Sequence, residues 1–345
     1  MVTKIGLDLG YANITLSDAT SEIYREPSVA LIHKTVGADS RRVIAVGNAA
    51  VTPSGEAAED GILVRPFKNG MFYDLQLTRE IIGHAVKAVL PADKIRAVVG
   101  VPSDIHSRQE KELFSMLESA GVAMSFTVTR SVAAIIGSGY SPTMSVISVN
   151  IGAMSTEIAI LHKGNVFYTT RSQIGGEDFD KAVKQYVLEQ GDVNVSLLVA
   201  RSIKEHLGAV WKGKPNESID IEGTLSLTGS KLKMTVSTED IVGVFEAPVR
   251  RLIEAIVDAV KKIPAEYVED IFENGIVLTG GGAELFGLDK LLSKVLGINV
   301  TKPDAAIDSV AKGLSRINGF LSPRIKAGNK NITAQLAKYY EESKK

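Results

Sequence analysis

Two clusters of small polar residues, each built around a glycine, stand where a phosphate chain can be held. Ile5-Gly6-Leu7-Asp8-Leu9-Gly10-Tyr11-Ala12-Asn13-Ile14-Thr15-Leu16 is the first. Ile147-Ser148-Val149-Asn150-Ile151-Gly152-Ala153-Met154-Ser155-Thr156-Glu157-Ile158 echoes it, from position 5 to position 147, 142 residues on. Each reads as an apolar strand, a tight polar turn and a strand of alternating polarity. Glycine lets backbone N–H groups approach an anion closely, and short hydroxyl or amide side chains add donors. Two such turns predict a duplicated domain that closes on one phosphate chain from both sides. A third element, Thr279-Gly280-Gly281-Gly282, follows the apolar run Gly275-Ile276-Val277-Leu278 and precedes a helix predicted from Ala283. Its glycines suit a close pass by a flat or phosphorylated ligand. One D-x-G turn alone is equally an ordinary hairpin; three such elements in wide, ordered spacing specify a nucleotide cleft.

The elements that must position these residues follow from periodicity. Residues 1–32 read as strands, and residues 33–69, mixed in Gly, Pro and charge, as an irregular small inserted lobe. Leu75 to Leu90 has helical spacing, Pro91-Ala92-Asp93 breaks it, and Ile95 to Val101 is a strand. Pro102 ends that strand, since proline cannot donate to a ladder. Ser107 to Ala120 reads as a helix and Arg130 to Gly137 as a short apolar one, an alternation that implies an α/β fold. Gly176 to Glu189 is helical, with Ile174, Phe179, Val183, Tyr186 and Val187 on one side. Residues 213–237 are strand-like, with Ile219, Ile221, Leu225, Leu227, Leu232 and Met234 alternating with polar neighbours. Ser237 and Asp240 have the spacing of a capping box. The helix they start would bury Ile241, Phe245, Val249, Leu252, Ile256 and Val260, and Pro248 predicts a kink or break in it. Residues 322–345, polar and lysine-rich with a short helical stretch, predict a mobile tail or a contact arm.

Composition narrows the function classes. A chain of 345 residues holds two domains with ample cores. Thirty-nine basic and 40 acidic residues nearly cancel, so no global field recruits nucleic acid or an acidic membrane. No cysteine is present, which excludes disulfides and thiolate chemistry. His33, His84, His106, His162 and His206 have no metal-ligand spacing. Neither G-x-x-x-x-G-K-[ST] nor G-x-G-x-x-G occurs, which argues against a P-loop enzyme or a dinucleotide dehydrogenase. No apolar run approaches the roughly 20 residues that span a bilayer. Met1-Val2-Thr3-Lys4 leads straight into a strand, so neither a signal peptide nor an amphipathic anchor is expected, and a cytoplasmic protein is the simplest account.

In their order along the chain these motifs resemble those of the actin superfamily, and within it the bacterial MreB/MamK type. Glu26-Pro27-Ser28-Val29, with Arg65-Pro66 and Gly70, is similar to that family's first domain and small lobe. Gly100-Val101-Pro102-Ser103 stands where the family has a G-V-P strand end. Ile174-Gly175-Gly176-Glu177-Asp178-Phe179-Asp180 resembles its adenosine-side segment, and Ile203-Lys204-Glu205 a helix that touches ribose and base. The most similar stretch runs from Pro264-Ala265-Glu266-Tyr267-Val268-Glu269-Asp270-Ile271 through Leu278 and Gly280-Gly281-Gly282 to Gly287-Leu288.

The resemblance covers nearly the whole chain. It implies a duplicated ribonuclease-H-like actin fold of the α/β class, with four subdomains around a nucleotide cleft. Residues 1–32 and 70–144 would be the first large subdomain and 33–69 the small one inserted in it. Residues 145–180 and 249–321 would be the second large subdomain, 181–248 its small one, and 322–345 a polar basic tail. The implied ligand is ATP or ADP with Mg²⁺. Gly10, Tyr11, Ala12 and Asn13 would line the phosphates from one side, and Gly152, Ala153, Met154, Ser155 and Thr156 from the other. Gly175, Gly176, Asp180, Lys204, Glu205, Gly280, Gly281 and Gly282 would hold the nucleoside, unless Glu205 is only a solvated helix carboxylate. Asp8 would organise the water shell of the metal, as a hard cation prefers oxygen ligands.

Three departures stand out. Tyr11 replaces the usual Thr or Ser, as in plasmid-segregating and archaeal relatives. Asn150 replaces an aspartate, and an amide supplies neither charge to Mg²⁺ nor a useful proton acceptor. Arg130-Ser131 stands where the family has Glu-Pro, the position thought to orient the attacking water, and arginine stays protonated. Impaired hydrolysis is therefore expected, with Arg130 on the γ-phosphate; alternatively Arg130 faces solvent and Glu157 or a displaced residue serves. Leu90-Pro91-Ala92-Asp93-Lys94 has no paired bulky apolar tip, so direct membrane binding is not expected.

The implied function is a cytoplasmic filament, a homopolymer assembled with ATP and positioned by an adaptor or a second actin-like protein, with no direct nucleic-acid partner. The alternatives are a non-polymerising nucleotide-sensing subunit of another filament and a small-molecule kinase on the same fold. A chaperone fits less well, because no room is left for a peptide-binding domain after residue 322.

Overall fold

The first strand buries Ile5, Leu7 and Leu9 in the core, while Asp8 between them reaches the cleft wall. The computed structural model describes residues 2–18, 23–34, 42–52, 57, 61–68, 71–88, 94–321 and 330–344, and in it that strand is β1 (Val2–Leu9). It turns into β2 (Asn13–Ser17), which pairs antiparallel with β3 (Ile23–Pro27). β4 (Ala30–Ile32), β5 (Val43–Val46) and β6 (Ile62–Val64) form a small separate sheet, and β7 (Phe67–Lys68) pairs with β8 (Met71–Phe72). Asp74 caps α1 (Leu75–Lys87) by accepting the Leu77 N–H. β9 (Lys94–Val101) returns parallel to β1, and α2 (Ser107–Ser119), β10 (Val122–Thr129) and α3 (Arg130–Gly137) complete the first half.

The second half repeats that plan. β11 (Val146–Ile151), β12 (Thr156–His162) and β13 (Asn165–Ser172) form an antiparallel meander, followed by α4 (Gly176–Gly191), β14 (Val193–Asn194) and α5 (Leu197–Leu207). β15 (Ser218–Leu225) and β16 (Lys231–Ser237) form a hairpin with β14 at its edge, ahead of α6 (Thr238–Ile241) and α7 (Glu246–Val260). Then come α8 (Val268–Asn274), β17 (Ile276–Thr279), α9 (Leu288–Leu296), β18 (Val300–Thr301) and α10 (Ser309–Phe320). The large sheets run β3-β2-β1-β9-β10 and β13-β12-β11-β17-β18, in each case a meander extended by two parallel strands. The internal echo in the sequence is thus a duplicated sheet.

The halves meet where α3 crosses α10. A Cβ on Gly137 would collide with the Ser309 carbonyl, and one on Gly313 with the Ala133 carbonyl, so the two backbones touch. Around this crossing one core cluster joins Val98, Phe126 and Val128 of the first sheet to Val146, Leu161 and Val277 of the second. A sealed polar network fixes α10 to the first sheet. Arg96 Nε donates to Asn318 Oδ1 at 2.7 Å, and Asn318 Nδ2 donates to the carbonyls of Ile5 (3.0 Å) and Arg96 (2.9 Å).

Some elements differ from the sequence reading. Part of the supposedly irregular lobe is ordered into β5 and β6, because short β-branched runs cover Val29, Leu31 and Ala50. In the β15–β16 hairpin Ile221 and Val236 are buried, whereas Leu227 is 92% exposed at the turn. Ser237 and Asp240 do form the capping box, and the helix breaks after Ile241, leaving Pro248 in the first turn of α7, where its missing N–H costs nothing. The lysine-rich segment is not loose over 330–344. β19 (Lys330–Asn331) adds a sixth, parallel strand beside β10, and α11 (Leu336–Ser343) follows, with Ile332 and Leu336 buried. Apolar residues inside the polar composition dock it. Gly70, most of the Leu90–Lys94 segment and residues 322–329 lie outside the described residues.

Candidate functional site

The two phosphate-type turns are built alike. Gly10 N–H donates to the Asn13 carbonyl at 3.0 Å, and Gly152 N–H donates to the Ser155 carbonyl at 2.9 Å. In register, Asp8 lies opposite Thr15, and Asn150 opposite Glu157. Each copy therefore carries one carboxylate, on the first strand in one half and on the second strand in the other. Gly280 enters a third turn with φ +83, and a Cβ there would lie 2.6 Å from Asn150 Oδ1 and collide with the Ile151 carbonyl. Only glycine lets this turn close over the second hairpin.

Between the turns lies a cleft of about 430 Å³. Its wall gathers Asp8, Gly10, Tyr11, Ala12, Asn13, Arg130, Asn150, Gly152, Ala153, Met154, Ser155, Glu157, Gly176, Asp180, Lys204, Glu205, Gly280, Gly281 and Gly282. Thr156 and Gly175 stand behind that wall. Thr156 is fully buried and its Oγ1 donates to the Ile174 carbonyl at 2.7 Å, while Gly175 packs on the backbone of Ala153 and Ser155. Gly176 N–H donates to the Gly152 carbonyl, so the start of α4 is pinned to the second turn. Sequence reasoning missed Arg25, Arg201, Lys214, Leu285 and Ile307, which also line the cleft. Arg201 was readable in hindsight, lying three residues before Lys204 on one helix face. Arg25 comes from β3, and Lys214, Leu285 and Ile307 come from separate connections between the named elements.

Charge in the cleft is organised in two networks. Asp180, fully buried, holds Arg201 Nε at 3.1 Å and Lys204 Nζ at 2.6 Å. Across the cleft, Arg130 Nε donates to Asp8 Oδ1 at 2.9 Å, its Nη2 to the Leu9 carbonyl at 2.7 Å and its Nη1 to Glu157 Oε1 at 3.4 Å. Arg130 is thus buried between two carboxylates, which corrects the alternative in which it faces solvent. Burial disfavours its charge, yet Asp8 and Glu157 together hold the guanidinium protonated above its ordinary range. Burial pushes the Glu157 carboxyl up, and Arg130 and Arg171 pull it back without cancelling that. Glu157 Oε2 is buried with no hydrogen-bond partner. At the rim, Arg65 stacks over the Tyr11 ring at 5.6 Å and donates to the Ala12 carbonyl, and burial followed by Glu177 raises the Tyr11 phenol.

This donor set suits a polyphosphate: two glycine turns, the cations Arg130, Arg201, Lys204 and Lys214, and a further face of Glu205, Gly280–Gly282, Leu285 and Ile307 for a flat group. It does not suit a divalent cation. Asp8 Oδ1 already accepts from a fixed guanidinium, and the matching position of the other turn is an amide. Among the described residues no three His, Cys, Asp or Glu side chains converge on a metal-sized site.

Comparison with known proteins agrees with this architecture. A family model described as MreB/Mbl protein matches residues 2–322. The cell shape-determining protein MreB of Escherichia coli (strain K12) is 29% identical over 316 residues, covering 90% of this chain and 91% of that one. MreB5 of Spiroplasma citri bound to AMPPNP superposes with a TM-score of 0.82 at 21% identity, covering 91% of this chain and 95% of that one. The MamK double helical filament gives a TM-score of 0.77 at 24% identity, covering 93% and 100%. A duplicated sheet around a glycine-turned cleft, matched by the family model along almost its whole length, makes this chain a bacterial actin-like protein of the MreB/Mbl family.

Proposed function

We propose that this chain is a cytoskeletal protein that binds ATP or ADP in the cleft, assembles into cytoplasmic filaments of its own copies, and hydrolyses ATP slowly. The observation that carries the reading is the pair of like-built turns facing one cleft, with glycines closing a third side. Two similar folds support it, one solved with AMPPNP and one as a double helical filament. Closure of the two halves on one ligand would favour the conformation that stacks subunits, so nucleotide shifts a population.

Slow turnover follows from the chemistry beside the turns. Arg130 cannot take a proton from water, and neither can Asn150. Positioned acid–base help is worth about 10²–10⁴-fold in rate, so its loss predicts weak turnover. Glu157, with Oε2 unpaired, is a proton acceptor on this wall beside Asp8.

High-speed pelleting with ATP, ADP or no nucleotide, with pellets viewed by negative-stain electron microscopy, tests the assembly reading. Filaments with ATP alone support it. Phosphate release at an ordinary actin-type rate, lost in Asp8→Ala and kept in Asn150→Ala, would remove the slow-turnover part. The altered pair Arg130 and Asn150 also favours a second reading, an accessory subunit that senses nucleotide within another filament. Assembly only beside a partner actin-like protein would select it. A small-molecule kinase requires substrate-dependent ADP formation.

A further inference from the structure

We propose that Arg130 is a built-in cation that takes the place of a divalent metal beside the phosphate turns, so that this chain binds nucleoside di- or triphosphate in metal-free form. The proposal rests on the nucleotide reading above and says which form of the ligand the site takes.

Three observations carry it. First, the guanidinium sits where a bridging cation is needed. It joins Asp8 of the first hairpin (2.9 Å) to Glu157 of the second (3.4 Å), and it lies on the cleft wall. Three of its five N–H groups are taken by Asp8, Glu157 and the Leu9 carbonyl, which leaves two for phosphate oxygens. Charge-assisted bonds of this kind to phosphate are among the strong ones.

Second, the guanidinium is fixed. Arg130 is the first residue of α3, a helix whose eight residues are all buried. A hydrated dication reaching Asp8 would have to displace this group from two partners or stand beside a fixed like charge. Either is unfavourable beside a guanidinium only 9% exposed, where solvent screens it little.

Third, Asn150 belongs to the same arrangement. Its Oδ1 faces the Thr279 hydroxyl at 3.4 Å, which leaves the amide nitrogen as the group to offer the cleft. An amide N–H donates to phosphate and ligates no cation. The two altered positions thus carry phosphate-directed donors, in place of a metal-directed oxygen at Asn150 and a water-directed one at Arg130. Asp8 and Glu157 hold the arginine.

The test is calorimetric titration of ATP into the nucleotide-stripped full-length chain, once with excess Mg²⁺ and once with excess EDTA. The expected dissociation constants agree within about threefold, under 1 kcal/mol on the tenfold-per-1.4 scale. Binding that weakens by about tenfold or more in EDTA overturns the proposal and leaves the nucleotide reading standing. No binding in either buffer removes both. Arg130→Gln, checked for folding by circular dichroism, should bind ATP with a Mg²⁺ requirement of about tenfold or more, and Arg130→Lys should restore metal-independent binding. A folded Arg130→Gln chain that binds equally in both buffers would also overturn it. If that variant does not fold, the wild-type pair of titrations decides alone.

Discussion

Thr333 Oγ1 accepts the backbone N–H of Thr129 at 3.1 Å, across 204 residues of chain. Thr129 is the last residue of β10 and immediately precedes Arg130, and the first N–H groups of a helix need partners from outside it. The C-terminal arm thus supports the backbone that aims the cleft arginine. Asn331 Nδ2, on the same arm, donates to Glu110 Oε1 at 3.2 Å, and Glu110 also accepts from Thr127.

Removing residues 330–345 should therefore lower thermal stability and weaken nucleotide binding together. Ile332 is fully buried against the shared core, and Ile332→Ala alone should cost about 2–5 kcal/mol. Urea unfolding of the two chains measures this. An unchanged midpoint in both would mean that the arm is not docked in solution.

Gly280→Ala should lower nucleotide affinity and stability at once. Its φ of +83 strains any L side chain, and the new Cβ would press on Asn150 Oδ1 and the Ile151 carbonyl, a penalty of about 1–3 kcal/mol. Gly281→Ala is the matched control, because its Cβ would make only ordinary contact with Ile307 at 3.5 Å. Equal loss in the two variants would refute this account of the turn.

Glu157→Gln should alter stability in a pH-dependent way. Burial raises the carboxyl in the folded chain, so its stabilising contribution is present at acid pH, below its unfolded value. That contribution is lost as pH rises through the raised folded value. A glutamine, neutral throughout, should match the parent at acid pH and melt higher at neutral pH. A lower melting temperature at neutral pH would show that the ion pair to Arg130 outweighs burial.

Asp180→Asn should weaken nucleotide binding more than it weakens the fold. It releases Arg201 and Lys204, which are 26% and 15% exposed and partly reach water. The stability loss should accordingly fall below the about 3–5 kcal/mol typical of a fully buried broken pair. Denaturant unfolding and ATP titration of one preparation separate the two effects.

Much of the fold was legible because local chemistry fixes it. The two turns, the glycine run, the Ser237 capping box and the break before Pro248 are set by residues within a few positions of one another. Other elements were not legible for an equally physical reason. β5 and β6 are too short to show a period, and they become strands only by covering Val29 and Leu31. The arm reads equally as a mobile tail or a contact arm because its composition is polar, while its docking depends on Ile332 and Leu336 finding a core built elsewhere.

The sequence by itself determined that this chain folds as a duplicated α/β unit with glycine turns facing one cleft, since turn geometry and strand patterning are written in adjacent residues. It also exposed Arg130 and Asn150 as departures. Only the tertiary structure decided what Arg130 does. Its partners Asp8 and Glu157 lie 122 and 27 residues away, on strands of different sheets. Packing of α3 against both halves turns the guanidinium inward between them, and no local pattern encodes a direction set by two distant strands.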